Sequence, residues 1–310
     1  MSVFGLLALA VSQPTPSAAL AQPAPTALLL DAAAGPHVEA NVNGVALRLR
    51  VEFDLAPDVT LNPDAAARAG LGRGDGRWRQ RIGPVRLDGR MMRHRFLLAG
   101  VETRAVLRWH DRPVAAGADG LVSIHALPFD SVTVERRVPA AGEEELSFEA
   151  RVDENHGLYI PTEVGGRRIA ARLSFFRPRT TAPAAAAAVI AARHGGVIGD
   201  AAGVEEISLG VPRPVHLLEL DRPLRVGGLA VPRLLVRTAD FRGAHRLVRR
   251  PHDAEGGAIV VTGERRSQDP LYRITLGLDV LGRCSAATYV RKTGTIRLRC
   301  AAPSPAPAPR

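Results

Sequence analysis

Two stretches of the chain follow one plan, and that repetition constrains the fold more than any other feature. The first begins at His37-Val38-Glu39-Ala40-Asn41-Val42, which alternates apolar and polar residues, and turns at Asn43-Gly44, a strong hairpin signal. Val45-Ala46-Leu47-Arg48-Leu49-Arg50-Val51 returns with the same alternation, and Ala56-Pro57 and Leu61-Asn62-Pro63 lead into a helix over 64–69 that Gly70 stops. The second stretch begins at Gly157 and turns at Gly165-Gly166. It returns over 167–173, bends at Phe175-Phe176-Arg177-Pro178, and starts an alanine-rich helix at Pro183 that Gly195-Gly196 ends. Pro63 and Pro183 hold matching places, each ahead of an alanine run.

The two stretches also end alike. Asp119-Gly120-Leu121-Val122-Ser123-Ile124-His125 precedes a strand over 131–135, and Leu276-Gly277-Leu278-Asp279-Val280-Leu281 precedes a terminal hairpin. Further strands are expected at 84–87, 93–98 and 103–109 in the first stretch, and at 206–209, 215–220 and 229–238 in the second. Short strands, glycine turns and one helix per stretch predict a mostly β fold. The segment 138–155 reads as a linker followed by a connecting strand, 241–269 as a charged insertion, and 301–310, with prolines at alternate positions, as a disordered tail.

The formal charge of +10 comes from 41 basic against 31 acidic residues, and Lys292 is the only lysine. A basic chain raises the question of nucleic acid. The arginines are scattered, and 4% aromatic residues are too few for base-stacking platforms, so nucleic acid is not an expected partner. The runs Arg77-Trp78-Arg79-Gln80-Arg81 and Arg265-Arg266 read as loop segments. The 9 histidines show no metal-ligand spacing, no phosphate or dinucleotide loop is present, and neither a metal nor a cofactor is expected.

At the N-terminus an apolar stretch over 3–11 and the small residues Ala19-Leu20-Ala21 read as an export leader over 1–21, although Met1-Ser2 carries no basic side chain. The mature chain then has no membrane-spanning segment, and the expected location is periplasmic or secreted. The only cysteines, Cys284 and Cys300, flank a hairpin that turns at Arg291-Lys292-Thr293-Gly294, which brings them opposite each other and makes a disulfide possible.

The order of these motifs resembles the retropepsin-like aspartic proteases, in the tandem-lobe bacterial form. The resemblance rests on Asn43-Gly44, on Asn62-Pro63-Asp64-Ala65-Ala66-Ala67-Arg68-Ala69-Gly70-Leu71, and on Leu276-Gly277-Leu278-Asp279-Val280-Leu281. It implies a two-lobed, acid-protease-like (pepsin or retropepsin) β-barrel architecture with one short helix or more per lobe. The lobes would span 37–137 and 156–300. In that family each lobe delivers an Asp-Thr-Gly turn, and that triplet is missing from both stretches. Counting back from Pro63 puts Asp54-Leu55-Ala56 in its place; counting forward from Gly44 puts Glu52-Phe53-Asp54 there. In the second stretch the place falls at Ser174-Phe175-Phe176, with no carboxylate between Glu163 and Asp200.

The family's chemistry needs two carboxylates sharing one proton, one to activate water and one to protonate the carbonyl. With Asp54 as the only acid found for the pair, and expected to titrate like a surface acid, the motifs are degenerate. The expected function is a non-hydrolysing protein that binds an extended peptide or an envelope protein in or near the interlobe cleft. Two alternatives stand: an active aspartic endopeptidase using Asp54 and a second carboxylate not identified, and a structural or assembly protein of the envelope. Flap-like segments are expected at 86–95 and 219–228, which makes Met91, Met92, Asp221 and Arg222 candidate peptide contacts.

Overall fold

The structure, a computed structural model, describes residues 26–33, 35–56, 58–238 and 272–302. The leader expected at 1–21, the insertion at 241–269 and most of the tail at 301–310 lie outside the described residues. In chain order the first part carries β1 (Ala27–Asp31), β2 (His37–Val42), β3 (Val45–Glu52), β4 (Val59–Leu61), α1 (Pro63–Arg68), β5 (Gly76–Ile82), β6 (Val85–Leu98), β7 (Val101–Trp109), β8 (Gly120–Ser123), a 3-10 turn (Ile124–Ala126) and β9 (Ser131–Glu135). The rest carries β10 (Glu144–Glu149), β11 (Arg151–Asp153), β12 (Gly157–Val164), β13 (Arg167–Leu173), β14 (Thr181–Pro183), α2 (Ala184–His194), β15 (Val197–Ser208), β16 (Val211–Val226), β17 (Leu229–Arg237), β18 (Arg273–Leu276), α3 (Leu278–Leu281), β19 (Cys284–Val290) and β20 (Thr295–Cys300). The protein is mostly β.

One sheet runs β2-β3-β8-β4-β7-β6-β5, and β2 also pairs with β6, which closes it on itself. Another runs β11-β12-β13-β18-β14-β17-β16-β15. From β2 and from β12 onward the two orders are the same. In both, a hairpin strand pairs in parallel with a late strand: β3 with β8 and β13 with β18. In both, the short strand before the helix also runs antiparallel to that late strand: β4 on β8 and β14 on β18. The turn at Asn43-Gly44 adopts the left-handed conformation at both residues, φ 53 and 82, as a tight hairpin requires.

A third sheet, β1-β9-β19-β20-β10, gathers strands from distant parts of the chain. β1 runs parallel to β9, a pairing that nothing in the sequence pattern announces. The Cys284–Cys300 disulfide joins β19 to β20. It closes a loop with a sequence separation of 16, which in the chain-entropy model stabilises by about 3 kcal/mol.

The core follows from the strand period. In β3 the alternate residues Leu47, Leu49 and Val51 are buried while Ala46 and Arg48 face out. Each fully buried Leu contributes about 1.5–3 kcal/mol relative to exposure. In α2 the alanines do the same work by being small: Ala184, Ala186, Ala187 and Ile190 are buried, so the helix axis lies close to its neighbours. Three local readings are corrected. Residues 77–81 form β5 rather than a loop, because Trp78 and Ile82 turn inward while the arginines between them face water. The expected strands at 84–87 and 93–98 are one strand, β6. The linker end at Glu144-Glu145 already belongs to β10, which pairs with β20. Among the described residues no helix is long and apolar enough to cross a membrane.

Candidate functional site

β3 ends at Glu52, which lies opposite Ser123 in the ladder, and Phe53, Asp54 and Leu55 follow as a turn. All four are buried, Glu52 to 7% and Asp54 to 9% exposure, so the expectation of a surface-like Asp54 is corrected. Residues two apart on an extended chain point the same way, and the Glu52 and Asp54 carboxyl groups share a hydrogen bond. The second carboxylate near Asp54 therefore comes from the end of the strand that leads into the same turn.

Across from this turn stands Arg172, the penultimate residue of β13. Its Nη2 donates to Asp54 Oδ2 at 2.9 Å and to Thr275 Oγ1 at 3.1 Å. Its Nη1 donates to the His156 carbonyl at 3.4 Å. Arg177 Nε lies 3.6 Å from the same Asp54 oxygen, an ion pair without a hydrogen bond. Arg177 also donates to the Glu206 and Ile207 carbonyls, which ties the second turn to β15. Arg179, the other arginine near this turn, binds Glu205 at 2.6 Å. Asp58 is held by Arg108 at 2.8 Å.

The two acids titrate apart. Burial, then the Asp54 charge, raises Glu52 to about 7, and the Arg50 guanidinium 2.7 Å away only partly offsets this. Burial alone would raise Asp54 too, but Arg172, Arg177 and the Glu52 hydrogen bond together outweigh it and hold the carboxyl below its ordinary value. The pair carries one proton, on Glu52, in acid and up to about pH 7, where Glu52 begins to give it up.

The second turn supplies no carboxylate. Ser174 is buried, and its Oγ accepts from the Arg177 backbone N–H at 3.3 Å. Phe175 meets Phe53 edge to face with ring centroids 5.3 Å apart. Arg50 lies over the Phe176 ring at 4.3 Å. The aromatic side chains at this position thus fill the space between the two turns.

What remains open is a cleft of about 50 Å³ beside Asp54, lined by Asp58, Arg108, His156, Arg172 and Arg273, with Trp78, Ser208 and Leu209 among its walls. Two hairpins meet over it. Trp78, Ile82 and Leu87 of β5 and β6 share one apolar cluster with Ile207, Leu209 and Val211 of β15 and β16, and Leu55 of the first turn belongs to it.

None of Met91, Met92, Asp221 and Arg222 lines this cleft. Met91 packs against Gly76 on the β5–β6 hairpin, and Met92 against the main core. Asp221 lies beside Gly195 at the end of α2, where Arg222 donates to the Arg193 carbonyl at 2.6 Å. The segment 219–228 turns at Gly227-Gly228, and that turn packs on Phe148 and Leu146 of β10 rather than over this cleft. The hairpin over the cleft is the one that turns at Leu209-Gly210. Arg172, Arg273, Trp78 and His156 were not singled out by sequence reasoning. Ala56 lines the cleft with Asp54, whereas Glu52 stands behind it.

No protein-family model matches the chain, and no curated protein matches it. Among solved structures it is similar to the retroviral protease-like domain of Ddi1 from Leishmania major, at 20% identity and a TM-score of 0.23, over 29% of this chain and 71% of that one. That likeness is compatible with the resemblance carried by the motifs and adds no weight to it.

Proposed function

We propose that this is a retropepsin-like protein of two lobes, 37–137 and 156–300, that does not hydrolyse peptide bonds and works instead by binding a polypeptide segment at the cleft between its hairpins. One observation carries the reading: the group that reaches Asp54 from the other stretch is the Arg172 guanidinium, 2.9 Å away, from the strand leading into the second turn, and that turn offers no carboxylate where the family's chemistry needs one. A guanidinium in a protein does not give up its proton, so it cannot act as a base. Its charge also makes Asp54 a weaker base by holding its pKa down. The proton that could serve as an acid sits on Glu52, behind the cleft wall. The disulfide and the leader over 1–21 support export to the periplasm or beyond, since disulfides persist in oxidising compartments.

A second reading has its own support. The hydrogen-bonded Glu52 and Asp54, with pKa values driven apart, are two carboxyl groups sharing one proton, the pattern that acid–base hydrolysis uses. The two readings separate in one assay. The purified, disulfide-intact chain is incubated with an unfolded protein from pH 3 to pH 8, and fragments are sought by mass spectrometry. The expected result is no cleavage. Cleavage that Asp54→Asn and Glu52→Gln both abolish would establish the second reading and remove the first.

A further inference from the structure

The buried ionic cluster around Asp54 holds more arginines than acids. Arg172, Arg177 and Arg273 all act on Asp54, and below pH 7, where Glu52 holds a proton, Asp54 is the one ionised acid of the Glu52–Asp54 pair. Arg172 and Arg177 have close acceptors, as described above. Arg273 is less well served. It enters from the first residue of β18, is 8% exposed, and makes one hydrogen bond among the described residues, a long one of 3.4 Å to the Asn155 carbonyl. Its nearest like charges are Arg172 and Arg237, and burial together with these pushes its pKa well down. A buried guanidinium without a carboxylate partner is expensive, and the usual resolution is an anion that completes its hydrogen bonding.

The cleft provides the place. Arg172 and Arg273 both line it, and its volume of about 50 Å³ holds a few water-sized groups. That is too little for a run of peptide and sufficient for one carboxylate. The acids that share the cleft are Asp54, paired with Arg172, Asp58, paired with Arg108, and Glu154, for which no ion pair is found among the described residues. Glu154 belongs to the bend after β11, next to the Asn155 that Arg273 touches.

We infer that the cleft is a carboxylate-binding site in which Arg273, flanked by Arg172, receives a single carboxylate or similarly small oxyanion beside Asp54. This rests on the reading of the cleft as a non-hydrolytic binding site and names the ligand chemistry that site selects. A carboxylate bound bidentately by Arg273 would be the side chain of an acidic residue, or the C-terminus, reaching into the cleft from a segment that lies outside it, or else a free anion.

The test is calorimetric titration at fixed ionic strength with three probes: sodium acetate, sodium phosphate, and a capped tetrapeptide containing one Glu, set against its Gln counterpart. The wild-type chain should bind at least one probe saturably. Arg273→Gln should weaken that binding roughly tenfold or more. Asp54→Asn, which frees Arg172 from its competing carboxylate, should tighten it. The opposed directions keep the test decisive if Arg273→Gln fails to fold. Preference for the Glu peptide over the Gln peptide assigns the carboxylate to a polypeptide; binding of acetate or phosphate without that preference assigns it to a free anion. Absence of saturable binding by every probe, or affinities that neither substitution changes, would overturn the inference. Fragmentation of the peptide during the titration would instead count against the non-hydrolytic reading alone.

Discussion

The turn after β3 and the turn after β13 occupy the same place in two sheets of the same strand order, yet they carry opposite chemistry. The first presents Glu52 and Asp54; the second presents Ser174, Phe175 and Phe176, with Arg172 just before it and Arg177 just after. Where two acidic turns facing each other would have to share a proton, an acidic turn facing a basic one forms an ion pair. Sharing leaves a group ready to give or take a proton, whereas pairing uses up the charge in holding the two halves of the molecule together. The aromatic pair of Phe53 and Phe175 does likewise with the space that remains. The ion pair gives the junction a structural role, at the expense of burying several charges.

The sharpest way to break this comparison is to remove the cation. Arg172→Leu leaves Asp54 buried beside Glu52 with one arginine fewer, and breaking a buried pair from one side costs roughly 3–5 kcal/mol. Urea unfolding would measure it. Asp54→Leu combined with Arg172→Leu should recover most of that loss, since an apolar pair carries no desolvation penalty. A single variant as stable as the wild type would mean that the bridge does not hold the turns together.

The acidic side can be tested through pH. Glu52 has its folded pKa raised from 4.5 to about 7, so the folded state binds the extra proton between these values. Its contribution to stability is fully present below 4.5 and is lost as pH rises through 7, a loss of roughly 3 kcal/mol. Asp54 acts in the other sense: its pKa is lowered, so its contribution is present above 3.8 and is lost as pH falls through the folded value. Together they place the pair's optimum near the two ordinary values. Glu52→Gln should remove the decline between 4.5 and 7 and leave the acid limb. Denaturant midpoints from pH 3 to pH 8 would show both limbs, and an unchanged decline in the variant would detach it from Glu52.

The two turns are also braced differently. A Cβ on Gly157, at φ 67, would lie 2.3 Å from the Leu55 carbonyl oxygen in the first turn. A Cβ on Gly277, at φ −101, would lie 2.5 Å from the Arg179 carbonyl carbon beyond the second. Gly157→Ala therefore meets both a backbone clash and an unfavourable φ, and should cost roughly 2 kcal/mol. Gly277→Ala meets the clash alone and should cost less by about 1 kcal/mol. Thermal melting of the two variants side by side checks the order; a reversed order would mean that the second turn is the less yielding one.

The parts of the molecule legible in the sequence are those set by local rules. Asn43-Gly44 and Gly165-Gly166 turn hairpins because left-handed backbone is needed there, Pro63 opens a helix, and the alternation of β2 and β3 sorts their side chains. The Cys284–Cys300 bond follows from a hairpin whose ends meet. The site was harder to read. Arg172 lies between Ala171 and Leu173, where alternation makes it a solvent-facing residue; it is buried because the first turn, 118 positions away, covers it. The pairing of Glu52 with Asp54 did leave a signal, since residues two apart in a strand share a face. The covering hairpins left none. Which of the two turns of β16 would lie over the cleft depends on how the sheets pack, and no local pattern encodes that.

The smallest expected effect tests the apolar half of the junction. Phe53 and Phe175 come from different turns and meet edge to face at 5.3 Å, with an interplanar angle of 63°. Such a contact contributes about 0.5–1.5 kcal/mol beyond the area the rings bury. Phe53→Leu and Phe175→Leu each remove it while keeping an apolar side chain, so the double variant should lose about 1 kcal/mol less than the sum of the singles. Strict additivity would mean that each ring is anchored by its own sheet. The charged contacts to Asp54 would then carry more of the junction, and removal of Arg172 should loosen it further than the coupled arrangement allows.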